Sequence, residues 1–300
     1  MDKARKATDK RLIQIERELR RIYKEASSLI RYDWDEYIRA MKPQGDALAR
    51  QIAAAERAGD EIRIAEAKAA YSVYLTRKTI GSDRYRMMLD AVSNNLARTN
   101  EQALQRVNAE MPWVYATNYN AVADDVNNIV RGYSFELVDE YTIKNLMTSN
   151  ASLVPQKHIN IPKDKRWNKK LMNSQVTQGI MRGESISTIA DRIQTVTDAN
   201  RDSAIRNART MTTSAENKGR FDSYKQASND GIIMKKVWIA TGDNRTRDAH
   251  LTLDGQEVDV DEPFINELGE IMYPGDPSAS PDNVWQCRCS MGTRVIGTRR

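Results

Sequence analysis

The sequence predicts an α+β protein: a mostly α-helical N-terminal region followed by a small C-terminal α+β domain with a short antiparallel sheet. Three observations carry this. Aromatics are only 7% of the 300 residues, so Ala, Ile, Leu and Met carry the apolar load, a palette that favours helix. Apolar residues in the first half recur at steps of three and four, the helical period. Beyond residue 231 the pattern changes to β-branched alternation and then to turn residues.

The elements follow in order. Leu12, Ile15, Leu19, Ile22, Ala26 and Leu29 form one narrow stripe, as in a helix packed on one or two partners. Pro43 and Gly45 interrupt it. A second, Ala-rich helix is expected from about Asp46 to Arg77, with a soft spot at Gly59. Gly81, Ser82 and Asp83 mark a turn and an N-cap, and a third helix runs to about Met111, where Pro112 ends or restarts it. Between Trp113 and Met147 the sequence is aromatic (Trp113, Tyr115, Tyr119, Tyr133, Phe135, Tyr141) and Asn-rich, which reads as irregular connections with short elements. Ser149 to Lys170 holds Pro155 and Pro162 among many lysines and reads as an exposed linker. Gly183 then ends one short helix and Ser185 caps the next, whose face is Ile186, Ile189, Ala190, Ile193 and Val196. A longer helix is expected from about Asn200 to Ser228, with small residues Ala204, Ala208, Ala215 and Gly219 beside Met211 on one face. Ile232 to Ala240 has the character of a strand, and the turn-rich tail from Thr241 suits a compact small sheet. The expected organisation is a helical region over 1–148, a basic linker over 149–174 and a C-terminal domain over 175–300.

The formal charge of +5 is unevenly spread, because residues 1–24 hold nine Lys and Arg against four acids. Such an end suits a phosphate backbone or an acidic partner, although a solvated helix face has the same composition. Arg11, Arg17, Arg20 and Arg21, then Lys163, Lys165, Arg166, Lys169 and Lys170 in the linker, are the candidate contacts, with Arg299 and Arg300 at the end. Cys287 and Cys289 stand too close in sequence to close a useful disulfide loop, and suit a reducing compartment. Charge from the first residues onward does not fit a signal peptide, and no apolar run approaches the ~20 residues that span a bilayer. A soluble product made in the cytoplasm, without a membrane segment, is expected.

His250, Cys287 and Cys289 together offer an imidazole and two thiolates, a zinc-type ligand set, and Asp254 or Asp248 could add an oxygen ligand. A thin-cored lobe would benefit from such a structural zinc. The competing reading is two small buried thiols on a terminal strand, with His250 bonded to a carboxylate. Arg209, Glu216, Arg220, Arg245, Arg247, Asp248 and Asp276 read as a structural ion network. In it, Glu216 and Arg220 meet across one helical turn, and Arg245 or Arg247 forks onto Asp254 or Asp276. No catalytic residue is assigned: GxxxxGK[ST] and HExxH are absent, a Ser–His–Asp set through His250 has little support, and Asp261-Glu262 before Pro263 is turn chemistry. His158, alone in the basic linker, reads as exposed.

Five blocks in one order carry a resemblance: ARTMTTSAENKGRFDSY (208–224), TGDNRTRDAHLTLDGQEV (241–258), DEPF (261–264), YPGDPS (273–278) and QCRC (286–289). Over roughly Gln175 to Val295 this succession resembles the Mu F-like, or head morphogenesis, family of phage minor head proteins. The resemblance implies a structural protein of a tailed bacteriophage, not an enzyme, held in a few copies inside the capsid near the portal vertex. Its implied role is head assembly, DNA packaging or DNA delivery. Its partners would be the portal protein, the major capsid or scaffold protein, and packaged double-stranded DNA. It would be made in the host cytoplasm; the Leu12–Leu29 stripe and the basic ends, taken with the resemblance, make region 1–148 the expected portal- or capsid-interacting part. The alternative is an internal virion protein that binds DNA non-specifically and is ejected with the genome. Some relatives carry toxin domains beyond the shared domain; with only Ser290 to Arg300 after the cysteines, none is expected here.

Overall fold

The computed structural model describes residues 3–39, 41–130, 134 and 136–299. The expectations for Tyr133, Phe135 and Arg300 fall outside the described residues. The architecture is the predicted α+β. Helices α1 (Lys3–Ile38), α2 (Lys42–Ala58), α3 (Glu61–Lys78), α4 (Asp83–Ile129), α5 (Glu140–Ser149), α6 (Ile161–Met181) and α7 (Ile186–Asn229) precede strand β1 (Ile232–Ile239). The short helix α8 (Asp248–Leu251), strands β2 (Glu257–Asp259), β3 (Phe264–Asn266) and β4 (Gly269–Ile271), helix α9 (Pro281–Val284) and strand β5 (Ser290–Thr298) complete the chain. No helix among the described residues is long and apolar enough to cross a membrane.

The chain divides into two compact units, neither a single run of sequence. One holds 1–17, 104–157 and 205–300; the other holds 18–103 and 158–204. Helices α1, α4 and α7 each contribute to both.

Several helices differ in extent from the sequence reading, each for a local reason. The buried seam of α1 is Ile15, Leu19, Tyr23, Ala26, Ile30 and Trp34, and Leu29 is exposed. Aromatic residues take the seam where the Leu/Ile count had looked for aliphatic ones. The soft spot at Gly59 is a full break: its left-handed φ of 67° lets its N–H cap α2, and Asp60 then caps α3 by accepting from the Arg63 N–H. Pro112 lies inside α4, which continues to Ile129. Trp113 to Ile129, expected to be irregular, is therefore helix, with Val114, Tyr115, Val122 and Val126 buried. The expected linker over 149–174 is helical from Ile161. Its Asn160 is an N-cap that accepts from the Lys163 N–H at 2.9 Å, and Pro162 occupies the first turn. Asn and Pro there are start signals, not loop signals. His158 is exposed, as expected. Gly183 and Ser185 act as predicted, but the two helices expected after them are one continuous α7.

In the first unit, β1 is the centre of a three-stranded antiparallel sheet of order β2-β1-β5, and β3 pairs with β4 as a separate hairpin. One core cluster joins Phe221, Tyr224 and Ala227 of α7 and Val122, Ala123 and Val126 of α4 to Trp238, Phe264, Cys287, Cys289 and Met291. In the second unit a buried polar network ties four helices. The Asn100 amide donates to Asp164 (2.8 Å) and Asn200 (2.6 Å), and accepts from the Tyr23 hydroxyl (2.6 Å); Asn200 donates to Asn168 (2.9 Å).

Candidate functional site

The first unit brings His250, Cys287 and Cys289 together. All three are buried, and their ligand atoms lie within 4.8 Å of one another. His250 stands on α8, which the preceding loop positions. In that loop the Asp243 carboxylate accepts from the Arg245 N–H at 3.0 Å and the Thr246 hydroxyl at 3.1 Å, an Asx-turn that leads into the helix. The cysteines lie just before β5. Gln286, immediately ahead of them, has a φ of 59°, which for a residue with a side chain is a backbone strain.

That strained segment is clasped by one polar stripe of α7. The Gln286 N–H donates to the Thr210 hydroxyl at 3.1 Å, and Thr213 donates to the Cys287 carbonyl at 2.8 Å. The Asn217 amide donates to the Cys289 carbonyl at 3.2 Å and accepts from the Met291 N–H at 3.0 Å. Thr210, Thr213, Asn217 and Arg220 step by three and four, so they share one face and satisfy backbone groups that would otherwise be buried without partners. The block from 208 to 224 is therefore a clamp for the cysteine segment.

The imidazole is fixed from its far side. Its Nε2 lies 3.2 Å from Asn283 Oδ1, while Asn283 Nδ2 faces the Asn266 and Gly269 oxygens at 3.3 and 3.5 Å. That orientation makes Asn283 Oδ1 an acceptor, so His250 carries its proton on Nε2 and turns a lone pair on Nδ1 toward the thiols. Nδ1 lies 3.6 Å from Cys287 Sγ and 3.7 Å from Cys289 Sγ. The hydrogen bond between the two thiols lowers Cys289 to about 5, with help from His250, and together with burial raises Cys287. The group thus gathers two sulfur atoms and one imidazole nitrogen, and it could hold a metal ion. Trp238 closes it edge-on, 5.4 Å from the His250 ring.

Other candidate residues lie elsewhere. Asp254 is not in the group, because its carboxylate accepts from the Ala240 N–H at 2.8 Å; Asp248 begins α8 and is also outside it. The partner of His250 is an amide and not the carboxylate the sequence suggested. Glu216 and Arg220 lie 3.7 Å apart and buried, Ser290 donates to Glu216 at 3.2 Å, and Arg220 donates to Asn118 at 2.8 Å. Burial raises the Glu216 carboxyl despite the Arg220 charge. Arg209 pairs with Glu16 at 2.7 Å. The expected forks from Arg245 and Arg247 are not formed: Arg245 is exposed, Arg247 donates to the Trp285 carbonyl, and Asp276 accepts from Met272 and Ser278. The fork is made instead by Arg288, the residue between the cysteines, on Asp243, with both N–O distances 2.6 Å. It holds the Asp243 carboxyl well below the usual range. Sequence reading missed Asn217, Asp243, Asn283 and Arg288; each lies inside or beside a quoted block, which was the available signal.

Of the basic candidates, Arg11 pairs with Glu110, and Lys165 and Lys169 pair with Asp90 at 2.7 and 3.1 Å. Arg17, Arg20, Arg21, Lys163, Arg166 and Lys170 are exposed.

Residues 170–292 match the family model described as Phage Mu protein F like protein, in agreement with the resemblance of the sequence blocks. The chain is 29% identical over 204 residues to NAD(+)--arginine ADP-ribosyltransferase EFV of Enterococcus faecalis, an alignment covering 57% of this chain and 42% of that protein. It is 28% identical over 222 residues to Minor head protein GP7 of Bacillus phage SPP1, covering 70% of this chain and 68% of the relative. A third relative, the uncharacterized protein YqbB of Bacillus subtilis, is 26% identical over 236 residues, covering 71% and 74%. The chain spans less than half the length of the first of these. No solved structure matches.

Proposed function

We propose that this chain, Mu F-like over residues 170–292, is a minor head protein of a tailed phage, associated with the portal inside the capsid and acting in head assembly, DNA packaging or delivery. The observation that carries this reading is the alignment with the SPP1 minor head protein. At 222 residues it reaches well beyond the matched domain and covers about equal shares of both chains. The part shared with the larger ADP-ribosyltransferase is less than half of that protein, so the reading proposed here rests on the head protein and not on that activity.

The test is mass spectrometry of DNA-filled heads purified from the encoding phage, together with co-expression of full-length chain and cognate portal. The chain should be present at a few copies per head and co-purify with portal. Heads that lack it overturn the reading.

A second reading rests on the exposed cations Arg17, Arg20, Arg21, Lys163, Arg166 and Lys170: an internal protein that binds packaged duplex without base reading. Its signature is duplex affinity that collapses with added salt.

A further inference from the structure

We infer that His250, Cys287 and Cys289 form a structural site for a zinc-class ion, with His250 Nδ1 and both Sγ atoms as the three protein ligands. This is independent of the head-protein reading and stands on geometry alone.

The spacing is the first support. A tetrahedral zinc with Zn–S of about 2.3 Å and Zn–N of about 2.0 Å places nitrogen and sulfur ligands roughly 3.5 Å apart. The observed separations are 3.6 and 3.7 Å. Both nitrogen–sulfur edges of the coordination polyhedron are therefore already in place, and all three ligand atoms lie within 4.8 Å of one another.

The C-x-C spacing is no obstacle here. The backbone over 287–289 already brings both sulfurs to one point, 3.6 and 3.7 Å from His250 Nδ1. The intervening Arg288 is engaged with Asp243.

The surroundings are the second support. Asn283 Oδ1 accepts a hydrogen bond from the Nε2–H of His250, so Nδ1 carries the lone pair that faces the sulfurs. The Cys289 N–H points at Cys287 Sγ, 3.4 Å away, an interaction that stabilises thiolate charge. Asn283 is itself held by Asn266 at 3.0 Å, so the tautomer is set before any ion arrives. A cation at the centre of the group would take up the Nδ1 lone pair and both sulfurs at once.

The fourth position is open. Among the described residues no further His, Cys, Asp or Glu joins the group. The adjoining cavity of about 10 Å³, bordered by Thr241, Arg245 and Arg247, has room on the order of one water, which would complete the tetrahedron.

The test uses full-length chain expressed with zinc and purified without chelator. Elemental analysis should find about one zinc per chain, falling at least about tenfold in Cys289→Ser and in His250→Gln. Asn283→Ala, which keeps all three ligands, should weaken zinc affinity about 10- to 100-fold. Because loss of a buried ligand also perturbs folding, metal-free wild-type chain is titrated with Co(II) as well. It should saturate near one equivalent with thiolate-to-cobalt charge-transfer absorption that zinc abolishes. Wild-type zinc below about a tenth of an equivalent without that absorption overturns the inference, as does zinc retained in full by Cys289→Ser.

Discussion

Lys236 lies fully buried in the middle of β1, with its Nζ donating to the Met272 carbonyl at 2.8 Å and facing the Phe221 and Phe264 rings at 4.9 and 5.1 Å. Burial lowers its pKa to about 8. The folded chain therefore releases this proton before the unfolded chain does, and the unfolded state binds more protons between about pH 8 and the ordinary lysine range near 10.4. Stability from this group rises with pH across that window. Urea unfolding at about pH 7.5 and about pH 9.5 should show the rise in wild type and a flatter response in Lys236→Met; equal responses would show the amine to be solvated. No sequence signal marked Lys236, since a lysine in an alternating strand reads as solvent-facing. His250 and the cysteines were legible because their residue types are scarce: two His and two Cys in 300 residues. Asn283, which orients His250, was not, because its role depends on α9 and the β3–β4 hairpin arriving beside α8.

The helices show how close approach is written into single residues. A Cβ on Gly219 of α7 would lie 2.4 Å from the Tyr115 carbonyl oxygen of α4, so the two backbones pack with nothing between them. Gly219→Ala gains about 1 kcal/mol of helix propensity but forces a backbone shift costing roughly 1–3 kcal/mol or more. The clash is with backbone, which cannot swing aside, so net destabilisation is expected in chemical denaturation, and a neutral or stabilised variant would refute the close packing. In the other unit, Asn200→Leu removes the acceptor of the Asn100 amide and the donor to Asn168. A loss on the order of 1–3 kcal/mol is expected from the buried groups left unpaired. A tolerated Leu would mean that water replaces the amide. The small-residue face of α7 was visible in the sequence, whereas the continuity of α4 through Pro112 was not, because propensity rules treat proline as a stop and packing on both sides outweighs that cost.

For the molecule as a whole, the net charge of +5 sets the long-range field. Much of the basic surface is already paired within the chain, as with Arg11 on Glu110 and Lys165 and Lys169 on Asp90. Duplex affinity should thus be modest at about 50 mM salt and fall steeply by about 200 mM. Charge reversal at the exposed Arg20 and Arg21 should reduce the salt slope. Absence of binding at the lower salt would remove the DNA-binding reading and leave the portal-associated one standing.

What the sequence determined by itself was composition and period: helix first, a small sheet last, and a set of polar blocks whose order resembles the Mu F-like family model that residues 170–292 match. These are local properties, carried by spacing along the chain. What tertiary structure alone decided was which polar groups meet. The Arg288–Asp243 fork, the α7 clamp on the cysteine segment and the Asn283–His250 contact join residues 33 to 76 positions apart. Pairing at such separations depends on where the backbone carries each side chain, and no spacing rule along the sequence encodes that.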